Sequence, residues 1–137
     1  MRFDVKINDD EVKETLAGNA MNHINEVTSK IRGNYITPIE AQPVVYTMKA
    51  DEAKRFLDDE DADLSNYPLI AAEIGLTAPT ANEVALVYLH MSDMFVFALA
   101  ELERIRLEAV YSIENATTRQ EINNAVSLFD ASIEAAF

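Results

Sequence analysis

The stretch from Thr80 to about Glu114 constrains this chain most. Thr80 followed three residues later by Glu83 is a capping box, so a helix is expected to start there. Beyond Glu83 the sequence holds neither Gly nor Pro, and only the turn-prone residues 115–118 interrupt the pattern. Apolar residues recur at Val84, Val87, Met91, Met94, Ala98, Leu102, Ile105 and Ala109, the three-four spacing of one helical face. From Ala85 to Ala100 the opposite face is apolar as well, with Leu86, Leu89, Phe95 and Leu99. A helix that is apolar all round is enclosed by other elements or by other subunits. At about 1.5 Å per residue this one would run roughly 50 Å, more than a compact domain of this size needs. The pattern predicts a helical interaction module and names no reaction.

The rest of the sequence agrees with an all-α chain. Its 137 residues suit one domain, and 49% apolar residues with only 3 Gly and 4 Pro leave little punctuation between helices. The expected architecture is a helical bundle with one long central helix, occupying 10–137, preceded by a short extended arm, 1–9. There is no cysteine, which excludes a disulfide framework and a thiolate metal site. Met1 to Asp10 is charged and has no apolar core, so no signal peptide is expected. Val84 to Ala100 is nearly long enough to span a membrane, but His90, Ser92 and Asp93 sit at its middle. A charged Asp at the bilayer centre costs on the order of 2.5–3.5 kcal/mol, so no membrane association is expected.

The formal charge is −13, which argues against a nucleic-acid partner because phosphates would be repelled. No Lys or Arg falls between Arg55 and Arg104, whereas Asp58, Asp59, Glu60, Asp61, Asp63, Glu73, Glu83 and Asp93 all do. That region is either a solvated acidic surface or a face for a basic partner.

Along the chain, Phe3, Val5 and Ile7 alternate with polar residues, the pattern of a half-buried strand. No second strand is evident, so this arm is expected to pair with a neighbouring chain, to fold back on the helices, or to fray. A helix is predicted over 10–32, with Val12, Leu16, Ala20, Ile24, Val27 and Ile31 as its stripe and His23 at the edge. Thr37, Pro38 and Glu40 form a second capping box, predicting a helix over 38–57. Pro43 conflicts with that start, and should kink the helix or move its beginning to Gln42. Asp59, Asp61 and Asp63 mimic the first positions of a calcium loop, but Leu64 replaces its Gly and Ile70 its final Glu. A solvated acidic loop is the expectation there. Pro68 opens a short helix ended by Gly75, and Thr118 with Glu121 caps the last helix, predicted over 118–136.

No catalytic constellation emerges. His90, Ser92 and Asp93 are close in sequence, yet neighbouring helical positions point in different directions. Neither Glu-x-x-His nor His-x-x-x-His occurs, and there is no phosphate loop or dinucleotide fingerprint. The chain is therefore read as a non-enzyme with no cofactor and no metal. The candidate functional residues are instead an interface set: Phe3, Val5, Ile7, Met91, Met94, Phe95 and Phe97.

Tyr46, Lys49, Glu52–Ala53 and Phe56, then Tyr67–Pro68–Leu69 and Gly75–Leu76–Thr77, resemble a helical module of tailed bacteriophages. A Glu103–Arg104 pair on a long helix and the segment Ile113–Glu114–Asn115–Ala116–Thr117 continue the resemblance, which covers roughly residues 31–122. Pro43 and the long acidic loop depart from the module, and Met1 to Arg32 has no counterpart in it. The module is found in small tail, baseplate and tail-fibre-associated or assembly proteins. The resemblance implies a virion structural subunit of the tail, assembled in the host cytoplasm and packed against other virion or tail proteins. It would act as a homo-oligomer or in a symmetric hetero-assembly. Two alternatives are a soluble tail or tail-fibre assembly chaperone absent from the mature particle, and an acidic host-directed inhibitor.

Overall fold

A computed structural model describes residues 9–35 and 39–137. Every regular element among the described residues is helical: α1 (Asp9–Asn34), α2 (Gln42–Asp58), α3 (Pro68–Glu73), α4 (Ala81–Glu114) and α5 (Arg119–Ala136), with a 3-10 turn at Leu64–Asn66. The chain is all-α, with one helix far longer than a small domain requires. Phe3, Val5, Ile7, Thr37 and Pro38 lie outside the described residues.

The helix boundaries follow local chemistry. Thr80 Oγ1 accepts the Glu83 N–H at 3.3 Å and donates to the Glu83 carboxylate at 3.0 Å, closing the first turn of α4. Thr118 Oγ1 likewise accepts the Glu121 N–H at 3.1 Å at the start of α5. α2 begins at Gln42 and not near residue 38, so the start that Pro43 offered as the alternative is the one adopted. Proline lacks the N–H and clashes with the preceding turn inside a helix, but is harmless within the first turn. Ala41 immediately before it adopts a left-handed φ of 64°, which ends any helical path from upstream.

The chain forms two compact units. One comprises the chain up to Asn34 together with Leu99–Phe137, so it combines α1, the later part of α4 and α5. Its core joins Ala20 and Ile24 of α1 to Ile105, Ala109 and Ile113 of α4 and to Ile122, Ala125 and Phe129 of α5. Burying a side chain such as Phe129 contributes about 1.5–3 kcal/mol. Around this core run surface ion pairs, Arg32 to Glu103 at 2.7 Å and Arg104 between Glu101 and Glu108, that contribute little at such exposure.

The second unit is Tyr35–Ala98: α2, the 3-10 turn, α3 and the first part of α4. Ala53 and Phe56 of α2 pack with Tyr67, with Ile70 of α3 and with Val84, Ala85 and Tyr88 of α4. Gly75 has φ +83°, a conformation that side chains strain to adopt, and it turns the chain between α3 and α4. Its N–H donates to the Ala78 carbonyl at 2.7 Å.

Candidate functional site

Within the second unit the polar groups are committed to the fold. Glu52 is only 3% exposed, and its carboxylate accepts the N–H groups of Leu69 and Ile70 at the start of α3. Lys49 Nζ reaches Glu73 at 2.8 Å, and Thr77 and Tyr88 donate their hydroxyls to the same carboxylate. Burial pushes the Glu73 carboxyl up, but these hydrogen bonds and the Lys49 charge outweigh it and hold the group below its ordinary value. Burial raises the Tyr88 phenol, and the hydrogen bond and charge of Glu73 add to that.

The acidic loop is exposed, and two of its carboxylates bind groups of the loop itself and of Tyr67. Asp59 accepts the Tyr67 hydroxyl at 2.7 Å and the Asp61 N–H at 3.1 Å, while Asp63 accepts the Ser65 N–H at 3.0 Å. Among the described residues no group of three His, Asp or Glu side chains is placed to hold a metal ion. His90, Ser92 and Asp93 form no hydrogen bond with one another among the described residues. His23 lies in the other unit, where Nε2 meets Asp130 Oδ1 at 2.7 Å and the ring stands edge-on to Phe129. An open groove of about 450 Å³ in that unit has an apolar floor that includes Met21, Ile113 and Ile122, rimmed by Lys13, Glu14 and Glu114. None of these arrangements assembles a nucleophile with a base.

What stands out is α4 beyond Tyr88. From Leu89 to Ala98 no side chain is buried, although seven of the ten residues there are apolar. Phe97 is 77% exposed, Met91 61% and Met94 58%; Leu86 and Val96 are exposed to similar degrees. Phe95 is half-buried, its ring set edge-on to Tyr35 with centroids 6.5 Å apart. α4 is long and apolar enough to cross a membrane by length and composition alone. Thus Met91, Met94 and Phe97 come together on an open helical surface, and Phe95 turns toward its own unit. Comparison with protein-family models, with curated proteins and with solved structures finds no match for the chain.

Of the residues quoted for the phage resemblance, Glu103–Arg104 and 113–117 belong to the other unit, whereas those from Tyr46 to Thr77 sit elsewhere in the same unit as this surface. Ala53, Phe56 and Tyr67 form its core, Glu52 holds α3, Lys49 meets Glu73, and Gly75 makes the turn. These positions determine how the unit folds and touch no open surface chemistry. Periodicity placed Val87, Met91 and Met94 on the same stripe as Val84, whereas the buried face continues through Ala85 and Tyr88. Tyr88 was missed because its hydroxyl makes it look solvent-facing; its O–H in fact lies between the Glu73 carboxylate and the Leu69 carbonyl, the latter at 3.0 Å. The signal that could have found Glu52 is Pro68 itself. A helix that opens on Tyr67–Pro68 has no local capping side chain, so its next N–H groups need an acceptor from elsewhere.

Proposed function

We propose that this chain is a bacteriophage virion structural protein of the tail, a tail, baseplate or fibre-attachment subunit. It would act by protein–protein packing in a symmetric assembly, with the middle of α4 as a docking face. The observation that carries the docking role is the stretch from Leu89 to Ala98, in which seven of ten residues are apolar and none is buried. An apolar helical surface left open by the described residues is a candidate docking face, because contiguous exposed patches of this kind mark interaction sites. Placement in a phage tail rests on the resemblance of residues 31–122 to the tail-associated module.

Mass spectrometry of purified particles tests this reading. A structural subunit is present in stoichiometric amount, and Phe97→Gln lowers its incorporation while leaving the soluble protein folded. A protein needed for tail formation yet missing from finished particles would instead be an assembly chaperone.

A further inference from the structure

Leu86, Val87, Met91, Met94 and Phe97 fall within an arc of about 140° around α4, with His90 between them, given 3.6 residues per turn. Large apolar side chains present on the order of 150–200 Å² each when fully exposed, so at their observed exposures these five leave roughly 450 Å². That is mid-range for the largest apolar patch on a monomer (~300–600 Å²), and well short of the ~800 Å² that each partner contributes to a standard stable interface. The patch alone would hold a second copy only weakly.

Charge then decides between occupants. Glu83 stands one turn before Leu86 at the N-terminal end of the patch, and Asp93 lies about 20° beyond the arc's edge; both are exposed. The whole unit from Tyr35 to Ala98 has three basic residues against eleven acidic ones, a formal −8. Two of the three, Lys49 and Arg55, are paired with Glu73 and Asp51. A second copy would bring the same acidic margin against itself, and such like-charge juxtaposition counts against that pairing. Two of the five apolar side chains are methionines, whose unbranched thioethers adapt to differing partners.

Resting on the reading of this surface as a docking face, we infer that its occupant is a basic amphipathic helix of another protein. Apolar residues of that helix at three-four spacing seat on Leu86, Met91, Met94 and Phe97, while flanking Lys or Arg meet Glu83 and Asp93.

The full chain is titrated at physiological salt with three synthetic helical peptides: an amphipathic leucine–lysine helix, its leucine–glutamate counterpart, and a serine–lysine peptide without an apolar face. The leucine–lysine helix is expected to bind at least about tenfold more tightly than either control, with Met94→Gln and Phe97→Gln each costing about tenfold or more. Circular dichroism checks the variants, whose side chains are exposed and leave the protein's charge unchanged. Equal binding of both lysine peptides, or variants that bind as the parent does, would reduce the effect to bulk charge and overturn the proposal. So would a Phe97-dependent dimer in sedimentation, binding of the glutamate peptide as tight as the lysine one, or Phe97-dependent capture by phosphatidylcholine vesicles without peptide binding. A dimer or vesicle result removes the basic partner yet leaves the docking role of the face. Phe97→Gln protein that enters particles normally would remove the docking role itself.

Discussion

Ile70 donates its backbone N–H to the carboxylate of Glu52 at 2.7 Å, and Leu69 donates to the other carboxylate oxygen at 3.2 Å. A buried glutamate on α2 thereby caps a helix that begins sixteen positions further along the chain at Pro68. The arrangement suits the local electrostatics, because the first N–H groups of a helix are unpaired and carry partial positive charge. It also ties α2 to α3 across the acidic loop, where the Phe56 and Tyr67 rings meet edge-on at 5.2 Å.

Replacing Glu52 with Leu should therefore cost about 3 kcal/mol, since two charge-assisted bonds vanish and buried donors are left unpaired. Four of the five tyrosines lie between Tyr35 and Tyr88, so tyrosine emission during urea unfolding reports mainly on that unit. Glu52→Gln keeps one acceptor and should lose about half as much. If both substitutions leave the midpoint unchanged, the capping role assigned to Glu52 fails.

Glu73 makes the stability of the same unit depend on acid. Its folded pKa is depressed below the ordinary 4.5. The unfolded chain therefore takes up a proton first as pH falls, and the stabilisation is complete only above about pH 4.5. It disappears as pH drops through the lower, folded value. Melting temperatures of the parent and Glu73→Gln should differ most above about pH 5 and converge as pH falls through the lower, folded value. A difference independent of pH would mean that Glu73 acts through shape, not charge.

How far the sequence could be read depended on the range of each interaction. The starts of α4 and α5 were visible because Thr80 with Glu83, and Thr118 with Glu121, are cap and partner within one turn. The start of α2 was ambiguous because Pro38 and Pro43 both suit a first turn, and the left-handed Ala41 gives no signal of its own. The open surface on α4 was legible as an excess of apolar residues. Which of them face outward was not, since a helix apolar on every side has no periodic contrast to reveal a buried face. Glu52 and Tyr88 were illegible for another reason: their partners lie seventeen or more positions away or on another helix, and only the fold brings them together.

Phe97 and Phe129 separate surface from core. Phe129 is nearly inaccessible among α1, α4 and α5, so Phe129→Ala should destabilise its unit by about 3–5 kcal/mol. Phe97→Ala should change stability by less than about 0.5 kcal/mol, as surface substitutions do. Chemical denaturation of the two variants side by side checks the contrast. A large loss for Phe97→Ala would place that ring in a packed environment and withdraw it from the docking face.

Thr28 is the last case, and there the expected change is a gain. It lies on α1 at 2% exposure, and its Oγ1 has no hydrogen-bond partner among the described residues. A helical threonine commonly satisfies its hydroxyl on the carbonyl one turn earlier, but Thr28 does not make that bond. An unpaired buried hydroxyl costs about 1–3 kcal/mol relative to an apolar group of the same shape. Valine has that shape, keeps the branched side chain and loses only the polar atom. Thr28→Val should accordingly stabilise the unit by about 1 kcal/mol, raising its melting temperature by a few degrees. Thr28→Ser keeps the hydroxyl while deleting a buried methyl, so it should destabilise by about 1 kcal/mol. Should valine lower the melting temperature, the hydroxyl is hydrogen-bonded in solution and its burial carries no penalty.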